Sequence, residues 1–558
     1  MLSSVLCAAA LHAPYSNAVE GLDVSARAVM DDFTAVGRFE QLKASFVRLL
    51  EGLHAIGADL SLAKTVLQVR GDPSEEVLLW AAQQNILVVR GNVKSLGGMV
   101  GDDDDETSAF VSDLLASHEP LFAALEDPLL PFSLTLYFSR VCALPKAMHV
   151  MRVIPLHITL PLLRVFDARL RSVVTTRLHL SDSLDHTALY SFSQPMSKAG
   201  LGLLPLETIA AAARWSAIVI SAPDTQFLVD DGRDCPLIRD RVFTFRTLVD
   251  AGVPVTALAH HDCDPSSDEW RTLPANPSFV LSHYRAADGS SLRHIQHRVT
   301  CDILGPRRTA ALRAADDLTF TRTSSCELKG ASLWLSHADE AVQMSDSEFE
   351  LAIRLRCGLP PSSSPLPSVC PLCRAAMADD AYHFFSCPKL KRRSVNRRHD
   401  SLQNGIARFA RANQCLVSIT PKQADSKVPD LRIVFADGAV QVDVSGTHPL
   451  APSIEPRVRG APGAAAAARE RSKEQKYGAE AKRVGDGFLP FVLESFGGFG
   501  QSALVLLQRI EDEGACVDAS PHRMSMRRFM AWAAVDWQRH NSRIFAEWRR
   551  LILDRAGS

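Results

Sequence analysis

The sequence predicts an α+β protein built from several domains. Three observations carry that reading. The chain has 558 residues, more than one hydrophobic core normally serves. Apolar residues recur at helical spacing through most of the stretch from Phe110 to about Thr225. Further on, two β-rich runs flank Asp437-Gly438, a strong hairpin signal because a type I′ turn needs positive φ at both central residues.

Composition sets the bounds. The net charge is −2 and mean hydropathy is near zero, so the expectation is a soluble globular protein with no global basic field. Any grip on nucleic acid must then come from local patches. The twelve cysteines are scattered except for one group, which points to a reducing compartment and not to a disulfide framework. Met1–Ala13 is apolar, but the run is short and no positive charge precedes it. It reads as a buried helix and not as a signal peptide. No stretch is long enough to span a membrane.

Taken in order, residues 24–37 read as two short strands joined at Met30-Asp31-Asp32. Adjacent acids at a hairpin tip repel unless a cation sits there, so Asp31 and Asp32 are candidate metal ligands. A helix is expected over Phe39–Ala55. The consecutive acids at 102–106 read as a solvated loop. Helices follow at Val111–Leu125, interrupted at Pro120, and at Leu134–Met151, Leu160–Arg177 and Leu206–Ile220. Asp230–Asp240 reads as a polar turn. His260-His261-Asp262-Cys263 has no partner pair at ligand spacing and is not read as a metal site. Helices near Leu292–Cys301 and Pro306–Leu312 look structural. Ser345–Arg356 runs into Cys357-Gly358-Leu359-Pro360, a helix stop. Pro361–Ser368 is rich in Pro and Ser and reads as a linker.

The cysteine group is Cys370-x2-Cys373-x9-His383-x3-Cys387. Three thiolates and an imidazole are the donors that Zn²⁺ prefers in closed structural sites. The apparent binding energy of such a site is roughly 10–16 kcal/mol, ample to fold a short segment with almost no core. Directly after it come Lys389, Lys391, Arg392, Arg393, Arg397, Arg398 and His399. Positive charge at that density fits phosphate contacts of salt-sensitive affinity.

The hairpin after the basic run carries the sharpest chemistry. If Asp437 and Gly438 form the turn, Phe435 faces Val440, Ile433 faces Val442 and Leu431 faces Val444, all on one apolar face. The other face carries Asp430, Arg432, Gln441, Asp443 and Ser445. Asp430 and Asp443 are then diagonal cross-strand neighbours, their Cβ atoms roughly 7–8 Å apart. Two carboxylates converging from that distance can hold Mg²⁺. A lysine is still wanted to steady charge on an attacked phosphate or to orient the nucleophile. A helix over Ala464–Ala481 supplies Lys473 and Tyr477, four apart on one face, with Lys476 as a second lysine candidate. The competing reading is a surface hairpin with two solvated acids beside a solvated basic helix. Beyond it, Phe488–Glu494 reads as a strand, and Ser502–Asp512 and Met524–Leu553 as helices. Phe529, Trp532, Trp537, Phe545 and Trp548 recur at helical spacing and are assigned to core. Arg527, Arg528, Arg549 and Arg550 are placed where they can touch a phosphate backbone.

Pro429-Asp430, Asp443, Lys473 and Tyr477 resemble the PD-(D/E)xK nucleases. The closer likeness is to the restriction-like endonuclease of the early-branching, site-specific non-LTR retrotransposons. There the lysine sits on a downstream helix with a tyrosine four residues later. A knuckle like that at Cys370–Cys387 stands just ahead of it, followed by a basic stretch ending in Arg-His. The N-terminal part resembles the back half of a reverse-transcriptase palm. Val29-Met30-Asp31-Asp32 matches its x-x-D-D signature, although an aromatic usually stands where Val29 does. Lys64 matches the lysine after the following helix, Leu96-Gly97 the primer-grip hairpin, and Met1–His12 the helix before the paired acids. Pro195–Leu203 and Ala210–Ala213 resemble the stretch after the thumb and are assigned packing only.

The resemblance implies a partial palm at 1–109, a thumb-like helical region at 110–225 and a helical connector at 226–365. The CCHC knuckle with its basic tail then occupies 366–400, and a PD-(D/E)xK-like α/β nuclease domain 401–558. It also implies structural Zn²⁺, catalytic Mg²⁺ on Asp430 and Asp443, a DNA target, the element's RNA as second partner, and a nuclear location. Palm chemistry uses a third aspartate from an earlier strand, and this chain begins after that strand. The expectation is therefore a nuclease without polymerase activity. The rival expectation is a non-enzymatic nucleic-acid-binding remnant of a decayed retroelement.

Overall fold

The computed structural model describes residues 2–180, 191–230, 236–254, 258, 295–336, 343–362, 365–377, 382–419, 428–451, 461–516 and 523–556. His260–Cys263 lies outside the described residues. The architecture is mixed α+β and mostly helical, with small sheets.

The first hundred residues are a chain of small pieces. Helix α1 (Leu2–Val19) leads to the hairpin β1 (Val24–Val29) and β2 (Asp32–Gly37), then to α2 (Phe39–Ala55). β3 (Val66–Gln68) and β4 (Leu87–Val89) pair in parallel across α3 (Glu75–Gln83). β5 (Val93–Ser95) and β6 (Gly98–Val100) form a second hairpin. Its turn is Leu96-Gly97, at φ 48° and 77°, the mirror-image geometry that suits strand twist. The expected strands and helices are therefore present here. The N-terminal helix differs from expectation: among its described side chains most are exposed, Leu6 at 61%, and Ala18 joins Leu49 and Leu53 in a small buried cluster.

The acidic run at 102–106 also differs from expectation. It does not float as a loop. Asp103 caps α4 (Asp104–Ala116) by accepting from the Glu106 N–H, and the acids after it fill the first turn, where the helix dipole favours them. α5 (Glu119–Glu126) follows, with Pro120 in its first turn. Next come α6 (Phe132–Phe138), α7 (Met148–Val153), α8 (Leu156–Arg177), α9 (Leu206–Asp230), α10 (Pro236–Asp250), α11 (Ile295–Ala314), α12 (Asp317–Cys326) and α13 (Asp346–Cys357). The last begins on a capping box, Ser345 with Glu348, and ends on Gly358 at φ 77°. One hydrophobic cluster runs from Val111 to Leu359 through all of these helices except α12, and the boundary expected at 225/226 falls inside α9.

The C-terminal unit is a four-stranded sheet in the order β10-β9-β8-β7, made of β7 (Leu416–Ile419), β8 (Leu431–Phe435), β9 (Gly438–Thr447) and β10 (Gly487–Glu494). β7, β8 and β9 are antiparallel neighbours, and β10 joins β9 in parallel. Helix α14 (Asn396–Ala412) precedes the sheet, and α15 (Ala464–Arg483) is the crossover between β9 and β10. α16 (Gln501–Cys516) and α17 (Met526–Ala556) complete the unit. α14, α16 and α17 cover one face, where Ile406, Phe409, Leu506 and Phe529 meet Ile433, Val442 and Phe491. α15 lies on the other.

The expected apolar face of the hairpin is buried throughout, but its register is shifted by two residues. Leu431 pairs with Val442 and Ile433 with Val440, and the turn is Ala436-Asp437 with Gly438 at φ 144°. Neither Ala436 nor Asp437 takes positive φ, so the turn is not the expected type. Carrying the pairing one residue outward sets Asp430 opposite Asp443.

Contact between α14 and α17 is close at Gly405, where an added Cβ would lie 2.1 Å from the Trp532 ring. Gly405→Ala should therefore lower stability by about 1–3 kcal/mol, read as a shift of the urea midpoint. In a Trp532→Leu background the same substitution should cost measurably less.

Candidate metal centre and active site

The knuckle forms as its spacing predicts. Cys370 donates its N–H to Ala375 O, Arg374 turns back at φ 66°, and the Cys387 N–H bonds His383 O. These turns bring the ligand atoms of Cys370, Cys373, His383 and Cys387 within 4.8 Å of one another. Cys370 Sγ is 4.0 Å from Cys387 Sγ, and Cys373 Sγ is 3.1 Å from His383 Nε2. Cys370, His383 and Cys387 are buried. Burial pushes the Cys387 thiol up to about 12. At Cys370 burial is outweighed by the N–H groups of Cys373 and Leu372, and the thiol sits below its ordinary value. A shared cation is what makes all the thiols thiolates together, and this closed donor set suits a structural Zn²⁺. Among the described residues no second group of three or more His, Cys, Asp or Glu donors converges in this way.

The knuckle is not the coreless bead expected. Phe384, Phe385 and Leu390 join it to Leu351 and Leu355 of α13 and to Ile544, Phe545 and Trp548 of α17 in one buried cluster.

The basic run after it divides. Lys389, Lys391, Arg393 and Arg397 are exposed, with Arg393 3.6 Å from Glu547. Arg392 belongs to the same helical turn, Lys391–Val395. Arg398 is a correction: it is buried and cannot reach a phosphate. Its guanidinium lies 4.1 Å from the Trp537 ring centre and donates to Asn541 Oδ1 at 2.6 Å. Burial pushes it down to about 9.

Three of the candidate nuclease residues, Asp443, Lys473 and Tyr477, come together, while the printed partners of Asp430 are on α14 and β9. Asp443 on β9 is 4% exposed, on the sheet face that α15 covers. Lys473 Nζ is 2.6 Å from its Oδ2, an atom that accepts no hydrogen bond of regular geometry. Tyr477 is buried one turn further along α15 against Phe488, and Lys473 Nζ lies 5.6 Å from its ring centre. Lys476 donates to the Tyr477 hydroxyl at 2.7 Å, which leaves Lys473 as the lysine at Asp443. α15 is held in place by Glu494, whose Oε1 accepts from the Ala466 N–H at 3.0 Å while Oε2 takes the Ser325 hydroxyl. Asp430 Oδ2 accepts from the Val444 N–H at 2.7 Å and lies 3.1 Å from His399 Nε2. Arg432 and Gln441, expected on the same face, are tied to Asp486 instead, and the Arg432 guanidinium holds that carboxyl below its usual range.

No protein-family model matches the chain, and no curated protein matches it in sequence.

Asp443 Oδ2 is buried and engaged by the Lys473 ammonium, and a carboxylate oxygen in that setting is a donor type that suits a divalent ion. Asp31 and Asp32 are both exposed at the β1–β2 tip, where Val29 pairs with Asp32. They are brought to no third acid among the described residues. Two contacts went unforeseen, that of His399 with Asp430 and that of Gln403 Nε2 with the Asp430 carbonyl at 2.9 Å. Their four-residue spacing on one helix was the available signal.

Two outcomes follow from the shared walls. Chelation, or Cys387→Ser, should strip the zinc detected by elemental analysis and also lower the melting temperature read from tryptophan fluorescence. Equal melting with and without metal would contradict the integrated core. Arg398→Ala should cost about 1.5–3 kcal/mol of stability in denaturant. It should leave the salt dependence of DNA binding unchanged, whereas a phosphate contact would reduce it.

Proposed function

We propose that this protein processes nucleic acid as part of a retroelement of the site-specific non-LTR type. Its C-terminal unit carries a Mg²⁺-dependent DNA endonuclease centre, and its N-terminal part is a palm-like region without polymerase activity. One observation carries the reading: the Lys473 ammonium, on a crossover helix, meets the buried Asp443 carboxylate at 2.6 Å at the end of the strand pair that also bears Asp430. Asp430 and Asp443 would hold the Mg²⁺. When bound, that ion polarises a phosphodiester and makes its water a better nucleophile.

The chain's own groups do the rest. Lys473 balances the acids' charge and offers an N–H donor toward an attacked phosphate oxygen. Tyr477 gives the lysine stem an apolar wall and takes up the competing Lys476. Lys391, Arg393 and Arg397 offer exposed positive charge for a DNA backbone. DNA is the substrate, the element's RNA is the second partner, and the nucleus is the place of action. A zinc ion in the Cys/His group would steady the cluster that joins the knuckle to α13 and α17.

A second reading has its own support. Both acids already have partners, and no third carboxylate joins them among the described residues. That is what a binding remnant with an idle centre would look like.

Plasmid nicking separates the two. The purified chain should nick supercoiled DNA only with Mg²⁺. Asp443→Asn and Lys473→Ala should each reduce the rate by about 10²–10³-fold, with DNA binding retained. A wild type that binds DNA but never nicks it decides for the remnant.

A further inference from the structure

Asp430 precedes the first paired residue of β8, Leu431, so the strand ladder does not fix its side chain. Other groups do. His399 Nε2 lies 3.1 Å from Oδ2, and the Val444 N–H donates to the same oxygen at 2.7 Å. Gln403, one turn along α14 from His399, donates to the Asp430 carbonyl at 2.9 Å. One helix therefore grips both the side chain and the backbone of this residue. His399 is itself oriented, with Nδ1 3.0 Å from Asp400 Oδ1. The side chains of Asp430 and His399 are 16% and 22% exposed, so these contacts are largely shielded from water. Asp430 Oδ1, by contrast, takes part in no hydrogen bond among the described residues.

A carboxylate that ligates a metal must present a lone pair in a fixed direction, and donors on its other oxygen supply that constraint. We propose that His399, assisted by Gln403, is a positioning residue of the candidate nuclease centre: it ties Asp430 Oδ2 to α14 and leaves Oδ1 as the oxygen that faces the divalent ion. The inference rests on the nuclease reading and adds a residue from the knuckle's own helix to it. It also gives the end of the basic run a role other than phosphate contact. Arg398 turns inward to Trp537, and His399 turns to Asp430.

The test is Mn²⁺ binding to the full, zinc-loaded chain, read by electron paramagnetic resonance so that turnover is not needed. Asp430→Asn should abolish binding and so define the site. His399→Ala should weaken it by about 10- to 100-fold. His399→Gln, which keeps an N–H donor, should recover most of the loss, and nicking by His399→Ala should recover at high Mg²⁺. Wild-type Mn²⁺ affinity in His399→Ala overturns the inference and leaves the nuclease reading standing. Equal impairment in the Ala and Gln variants overturns the donor role. Mn²⁺ binding unchanged by Asp430→Asn overturns the nuclease reading itself.

Discussion

The indole of Trp537 joins the parts of the C-terminal unit. It is 2% exposed, and its N–H donates to the Glu494 carbonyl at the end of β10 at 2.9 Å. Its face receives the Arg398 guanidinium from α14. Its far edge rests on Gly446 of β9, where a Cβ would come within 2.7 Å. Two strands and a helix thus meet on one side chain. The helix that carries it extends the arrangement both ways. Ala534 and Val535 reach the large helical cluster, while Ile544, Phe545 and Trp548 pack in one cluster with Cys370 and Cys387. Burying each such large apolar side chain contributes about 1.5–3 kcal/mol, so α17 ties three cores together by ordinary burial.

Much of this could be read in advance, and the failures have physical causes. Helices with clear periodicity and end signals, such as Phe39–Ala55 and the capped α13, were legible because local chemistry and packing agree there. The hairpin's faces were legible and its register was not. A two-residue shift returns every side chain to the same face, so the hydrophobic pattern cannot tell the two pairings apart. The turn decides between them, and the Asp-Gly pair pointed one place too far along. Extended by one residue, the observed register sets Asp430 across from Asp443, where the expected one set it across from Ser445.

Arg398 was illegible for a different reason. Density of charge along a sequence says nothing about which residue of a helix points inward. Within the basic run one arginine found an indole and an amide, which compensate part of its lost hydration. His399 stands 31 residues from Asp430, and only the folded sheet brings them together. Lys473 and Tyr477 were easier, because a helix between two strands of one sheet has to lie across them.

The two ends of the chain differ in how much they bury. Near the N-terminus the strands form isolated pairs, and Leu6, Val29, Met30 and Val36 stay exposed. In the C-terminal unit helices cover one face of the sheet, and α15 covers β9 and β10 on the other. α17 also follows in sequence every element it holds. On a ribosome the sheet, the knuckle and α13 emerge first and wait with their apolar sides open. Closure of these cores therefore waits for α17, and the nascent chain is exposed to aggregation and to chaperones until its tryptophan-rich helix arrives.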